Sequence, residues 1–357
     1  MVLIRIVVFA SLTIWLSACA NFSYYAQAVS GHFSVVHRSQ PIDSVLANNE
    51  IDPKVKSALV KVTQIREFAS RELKLPDNLS YTRYADLGRS FVVWNVFSAP
   101  EFSLKLKEWC FLQVGCVSYR GFFSQIQAER YAEELRREGY DVHVSGVRAY
   151  STLGWFADPV LNTFIGYPEM NLARLVFHEL AHQVIFVPGD TMFNESFATA
   201  VEQEGIQRWF ASNGSALQQS ELQARLIRES VFIDLIAKYR RQLQELFRSD
   251  RSDGEKRSHK QQIIEGLRVE FLQLKAMRPE FASYEQWFMQ PLNNALLATV
   301  SVYTQLVSAF RAILVQHDHD MEKFFVAVKK LGKMPKDERH RLLQSIMEDY
   351  SRIVVLD

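Results

Sequence analysis

The stretch Asn171-Leu-Ala-Arg-Leu-Val-Phe-His-Glu-Leu-Ala-His-Gln-Val-Ile-Phe-Val187 decides how this chain is read. It is followed by Pro188-Gly189-Asp190 and then by Phe193-Asn194-Glu195-Ser196-Phe197-Ala198. On a helix, residues four apart stack on one face, so His178 and His182 can offer both imidazoles to one ion. Glu179 projects toward the same cleft, offset by about a third of a turn. From there a carboxylate can take a proton from a zinc-activated water. The flanks are apolar: Leu175, Val176 and Phe177 before the motif, Val184 to Val187 after it. Such a helix should be buried, and polar groups inside it cost free energy unless they are paired or bind a metal. Solvent-exposed polar residues on an ordinary helix would not carry these flanks.

A catalytic zinc takes three protein ligands and keeps one position open. Glu195 is the third candidate, since two antiparallel helices joined by the short Pro188-Gly189-Asp190 turn bring it back toward the histidines. The competing reading is a helix-start Glu favoured by the macrodipole. His317 and His319 are the other histidines considered, but His317-Asp318-His319-Asp320 reads as a solvated helix junction. Metal-bound imidazoles are usually oriented by a further hydrogen-bonding group. Asp190 and Glu202 are candidates, Glu202 because it shares the helix face of Glu195. Against these stand a capping role for Asp190 or Thr191 and a merely solvated Glu202.

Asn194-Glu195-x-x-Ala198 resembles the gluzincins, the thermolysin-like clan whose third zinc ligand is a Glu from the following helix. That resemblance implies an oxyanion-stabilising Tyr or His from a later helix. Tyr303 is the candidate, with Tyr150 as runner-up and a packed core aromatic as the plain reading of Tyr303. The run Tyr150 to Phe156, including Gly154, reads as an edge strand that could bind an extended peptide by main-chain hydrogen bonds.

Outward from this centre, the chain has 357 residues, 48% hydrophobic and 23% charged, with a formal net charge of +1. That balance suits a globular protein and shows no basic excess of the kind that marks nucleic-acid binders. Periodicity predicts helices near Tyr24 to Val36 and Val55 to Leu73. Strands are expected at Ser90 to Phe97, Val117 to Phe123 and Tyr140 to Val147. Gln125 to Glu138 reads as a helix ended by Gly139, so Val117 to Val147 looks like a β-α-β unit. After Asn171, helices are expected to Val187, at Phe193 to Ala211, and at about 218–248, 258–277, 291–315, 320–331 and 336–348, with a polar turn at Asp250 to Glu255. The expected fold is α+β and zincin-like. A small mixed sheet, from about 78 to 156, packs on the zinc helix, and a mainly helical C-terminal part follows. The segments are 1–18 (signal peptide), 19–77 (helical), 78–170 (α+β sheet region) and 171–357 (helical metallopeptidase region).

The N-terminus reads as a secretory signal: Arg5, an apolar run from Ile6 to Leu16, then small residues. Leu16-Ser17-Ala18-Cys19 resembles the lipobox of bacterial lipoproteins, which implies cleavage before Cys19 and a lipid on its thiol. By the same resemblance, Ala20 implies the outer membrane, facing the periplasm. A plain signal peptide with an incidental Cys is the competing reading. The two other cysteines, Cys110 and Cys116, are expected to form a disulfide in an oxidising compartment, against two buried free thiols.

The runs Tyr150 to Pro159, Phe177 to His182, Gly189 to Thr191 and Phe193 to Ala198 carry a wider resemblance. With the lipobox and Trp109-Cys110 to Gly115-Cys116, they resemble the bacterial putative aminopeptidase lipoproteins, from about Tyr24 to Phe325. That implies a gluzincin-type zinc peptidase acting on peptides, with Zn2+ as cofactor and the membrane reached through lipid. The Gly-x-Met-Glu-Asn motif that binds the substrate amine in one large aminopeptidase family is absent, so endopeptidase activity stays open. So does an inactive lipoprotein serving as a binding or envelope-assembly module. The sequence does not fix the oligomeric state.

Overall fold

A computed structural model describes residues 24–111 and 114–354, the last four by backbone alone. The expected signal peptide and Cys19 lie outside the described residues. The first described element is a helix over residues 24–38, here α1. Next come β1 (Gln40–Pro41), α2 (Ile42–Ala47) and α3 (Pro53–Leu73). Pro53 begins α3 while the Asp52 side chain accepts from Lys54 N. Both features suit a helix start, since the first turn has no intrahelical use for its N–H groups.

The sheet region holds β2 (Arg83–Ala85), β3 (Val93–Pro100), β4 (Trp109–Phe111), β5 (Gly115–Val117), β6 (Arg120–Phe122), α4 (Gln125–Arg137), β7 (Tyr140–Val147) and β8 (Val160–Leu161). The main sheet has the order β6-β3-β7, and β3 is antiparallel to both neighbours. The expected strand Val117 to Phe123 is broken, because Val117 pairs with Trp109 in the β4–β5 hairpin and only Arg120 to Phe122 join the main sheet; the β-α-β unit is also split, with β3 inserted between β6 and β7. Alternation along β3 explains the layers. Trp94 and Val96 face α4 at Ala128, Ala132 and Leu135. Phe97 and Ala99 face Ala295, Ala298 and Val302.

The rest is helical: α5 (Asn162–Ile165), α6 (Glu169–Val184), α7 (Thr191–Asn213), α8 (Ala216–Arg248), α9 (Asp253–Met277), a 3-10 turn (Pro279–Tyr284), α10 (Glu285–Phe288), α11 (Asn294–Thr304), α12 (Val307–Gln316), α13 (Met321–Gly332) and α14 (Lys336–Val354). The α+β class with a mainly helical C-terminal part stands. The arrangement within it differs from expectation: the main sheet is covered by α4 and α11, while α6 packs on α7 and α3. A second sheet, β1-β2-β8, joins strands of two and three residues, too short for any periodicity to reveal. The largest core runs through Leu59, Phe68, Val176, Phe177, Phe197, Phe310 and Phe324, so it ties the N-terminal helices to the C-terminal ones.

Three other expectations change. The run 291–315 divides into α11 and α12, where Leu306 N donates to Ser196 Oγ of α7 rather than continuing the helix. The polar turn before α9 is shorter than expected, because Ser252 and Glu255 form a capping box that starts the helix at Asp253. Tyr150 to Phe156 is not a strand. Thr152 bonds both carboxylate oxygens of Asp158, and Leu153 and Gly154 take positive φ, so the chain folds into a turn.

Asp190, a candidate for orienting an imidazole, does other work. Its Oδ1 accepts from Phe193 N at the head of α7. Its Oδ2 accepts from Nε and Nη2 of Arg339, at 3.0 and 2.5 Å, and His340 Nε2 lies 2.8 Å away. Arg339 is 2% exposed. Removing one partner of a buried ion pair costs about 3–5 kcal/mol, and losing a cap adds about 1 kcal/mol. Asp190→Ala should therefore lower unfolding stability by at least about 3 kcal/mol in denaturant titration. A loss below about 1 kcal/mol would show that this junction of α7 and α14 contributes little.

Candidate metal centre

The centre is built on the α6–α7 hairpin. α6 stops at Val184, because Ile185 turns extended, so the helix is shorter than the apolar run suggests. Asn194 then closes the loop: its Oδ1 accepts from Val187 N, and its Nδ2 donates to Val187 O. Gly189 carries φ +80° within the turn. The β4–β5 hairpin, closed by the Cys110–Cys116 disulfide, supports this turn through Gly189 N donating to Val114 O. A Cβ on Gly115 would lie 2.6 Å from Gly189 N, so the two turns touch through backbone. Further along, a Cβ on Gly205 would meet the Phe177 ring at 2.5 Å. α7 therefore lies tight against α6.

This hairpin brings His178, His182 and Glu195 together. One donor atom from each lies within 4.8 Å of the others. Glu195 Oε2 is 3.2 Å from His178 Nε2 and 3.7 Å from His182 Nε2. A tetrahedral ion with bonds of about 2.0–2.2 Å holds its ligand atoms about 3.3–3.6 Å apart. Two imidazoles and a carboxylate at these separations fit such an ion.

Around the triad the charges are arranged with direction. Glu202 Oε2 lies 2.9 Å from His178 Nδ1, leaving Nε2 for the centre. Arg174, one turn before His178, donates to Glu202 Oε1 from Nε and Nη2 and to Glu229 from Nη1. Burial works against the Glu202 charge, yet Arg174 and His178 bring its pKa down to about 2. Burial likewise opposes a charged His178, but its bonds to Glu195 and Glu202 raise its pKa well above the usual imidazole value. His182, by contrast, is lowered to about 4, chiefly by burial, and its buried Nδ1 has no partner among the described residues. Glu179 is raised to about 7, first by burial and then by Glu195, Asp158 and Glu202, against the pull of His178. A carboxyl group near neutrality is suited to accepting and releasing a proton at physiological pH.

The facing wall comes from α11 and the segment before β6. Tyr303 has its ring 6.4 Å from that of His178. Its pKa is raised, first by the Glu195 charge and then by burial, Tyr119 and Glu179. Tyr119 shares this apolar wall and is raised by burial and by the charges of Glu195 and Glu179. Tyr119 was not among the residues expected at the site, for it carries no local signal in the sequence. Nor was Arg174, although Arg174, His178 and His182 lie four apart on one face.

Other candidates fall elsewhere. Tyr150 binds His32 Nδ1 at 2.8 Å and packs on Phe123. The turn at Gly154 runs beside α6, where a Gly154 Cβ would meet Gln183, and Ser151 Oγ lies 3.5 Å from Glu179 O. His319 sits at an exposed junction, 3.2 Å from Glu204, outside the triad.

Glu202→Gln tests the orienting contact. Loss of such a partner typically weakens metal binding about 10–100-fold. The variant should show that loss in a competition titration against a chromophoric chelator; unchanged affinity would remove Glu202 from the account.

These features define an α+β protein with a His-Glu-x-x-His helix and a His-His-Glu triad able to hold a metal ion. The chain belongs to the family described as "Putative aminopeptidase", whose profile matches residues 23–343. The family name places it with peptidases, among the hydrolases. No curated protein and no solved structure matches it.

Proposed function

We propose that this protein is a zinc-dependent aminopeptidase of gluzincin type, anchored by lipid at Cys19 on the outer membrane and acting on peptides in the periplasm. The observation that carries the reading is the triad of His178, His182 and Glu195, gathered within 4.8 Å beside a carboxylate, Glu179, on the same helix. Two imidazoles with a carboxylate suit zinc, and three ligands leave a position open for reaction. Zinc held there would supply Lewis acidity, activating water and polarising a peptide carbonyl.

The chain's own groups do the rest. Glu179 takes the proton from the attacking water and returns it to the leaving amine. Glu202 fixes the His178 ring, and Arg174 keeps Glu202 ionised. Tyr303, from the facing wall, donates a hydrogen bond to the oxyanion as charge develops on it. The lipobox supports the anchor, and the Cys110–Cys116 bridge agrees with an oxidising compartment.

Peptides with free and with acetylated N-termini test the reading. Hydrolysis should release the first residue of free peptides, spare the acetylated ones, stop with a chelator and return with zinc. Cleavage of acetylated peptides at internal bonds would make it an endopeptidase. Hydrolysis indifferent to chelation would refute the metal mechanism.

A further inference from the structure

We propose that α1 and the turn after Tyr150 form a membrane-contacting face that lays the protein on the lipid surface, beyond the hold of its lipid anchor. Tyr25, Val29, Phe33 and Val36 are all exposed on α1. At about 100° per residue they fall within an arc of roughly 80°, one continuous stripe along the helix. Phe33 is 59% exposed. The stripe runs on into the turn: the ring of His32, beside Phe33, packs at a tilt against Phe156 with centroids 4.5 Å apart. Trp155 follows at 77% exposure. Aromatic and aliphatic side chains grouped in this way on a surface mark an interaction site.

Three observations favour lipid as the occupant. No acidic residue occurs between residues 20 and 42, while Arg38 and two histidines do, so nothing on α1 repels anionic headgroups. An exposed Trp with neighbouring Phe and Tyr is the composition of a membrane interface. Residues 20–23 alone separate Cys19 from α1. Five extended steps reach at most about 18 Å, whereas α1 is about 22 Å long. A lipid on Cys19 would hold the stripe at bilayer height. This last point rests on the lipid-anchor reading; the first two do not. The Trp155 turn also borders α6 beside Glu179, so docking this face would set the cleft next to the membrane.

The test uses the unlipidated chain from residue 20 onward, which contains every described element, and vesicles of phosphatidylethanolamine and phosphatidylglycerol. The chain should co-float with vesicles, and Trp155 emission should shift to the blue and be quenched by brominated lipid. Comparison with Trp155→Phe isolates that signal. V29S/F33S should weaken binding at least tenfold, with unfolding and metal content unchanged, and Trp155→Ser should weaken it independently. Absence of vesicle binding, or binding that none of these substitutions alters, overturns the proposal. So does a chain that ignores vesicles but loses cleavage of apolar peptides when the stripe is changed, which would make the face a substrate surface. Incorporation of labelled palmitate into the full chain and its Cys19→Ser variant separately tests the anchor.

Discussion

Glu179→Gln should lower kcat for peptide hydrolysis by about 10²–10⁴-fold, the usual contribution of a positioned general base, while metal content stays at the wild-type level. Gln matches Glu in size and keeps the packing on α6, but it cannot accept the proton. Glu179 is also not one of the triad, so its loss leaves His178, His182 and Glu195 in place. The setting gives the carboxylate its fitness for the task. Burial and the nearby charges of Glu195, Asp158 and Glu202 hold its pKa at about 7, and a bound cation would pull it lower and favour the basic form. Hydrolysis within tenfold of wild type would show that another group moves the proton. Loss of activity together with loss of metal would show that Glu179 acts in binding instead.

How much of this could be read from the sequence depended on how local each signal was. His178 and His182 needed only helical spacing. Glu195 needed one short turn, and the residues that build that turn (Gly189, Asp190 and Asn194) stood in the same stretch. The role of Asn194 was not legible, because a side chain replacing a helix end bonds backbone groups seven residues away. Asp190 offered two readings, and the decisive partner, Arg339, lies 149 residues on. Against a strand over Tyr150 to Phe156, the counter-signal in the sequence is Thr152 with Asp158, which can close a turn on themselves. Tyr119 reaches the wall of the cleft only through the sheet, so nothing near it in the chain announces it.

The sheet shows the same limit. β3, β7 and α4 were visible from β-branched and aromatic content and from amphipathicity, whereas the break between β5 and β6 within Val117 to Phe123 and the insertion of β3 between β6 and β7 are choices of pairing partners. The apolar run Asn294–Gln316 is long enough to cross a membrane by composition, yet half of it is buried inside the protein. Its character is explained by forming a wall on the sheet and on α7.

Metal content decides whether the triad holds one zinc ion. The unlipidated chain from residue 20 onward, loaded with zinc and dialysed, should retain about one zinc per chain by elemental analysis. Glu195→Ala, prepared in parallel, should bind at least about a hundredfold more weakly, since even the loss of a group that only orients a ligand costs about 10–100-fold. Retention of about one zinc by the wild type and its loss from Glu195→Ala is the predicted result. A wild type that takes up no zinc even when supplied, or a Glu195→Ala chain that keeps it as tightly, would contradict the three-ligand centre and the mechanism built on it.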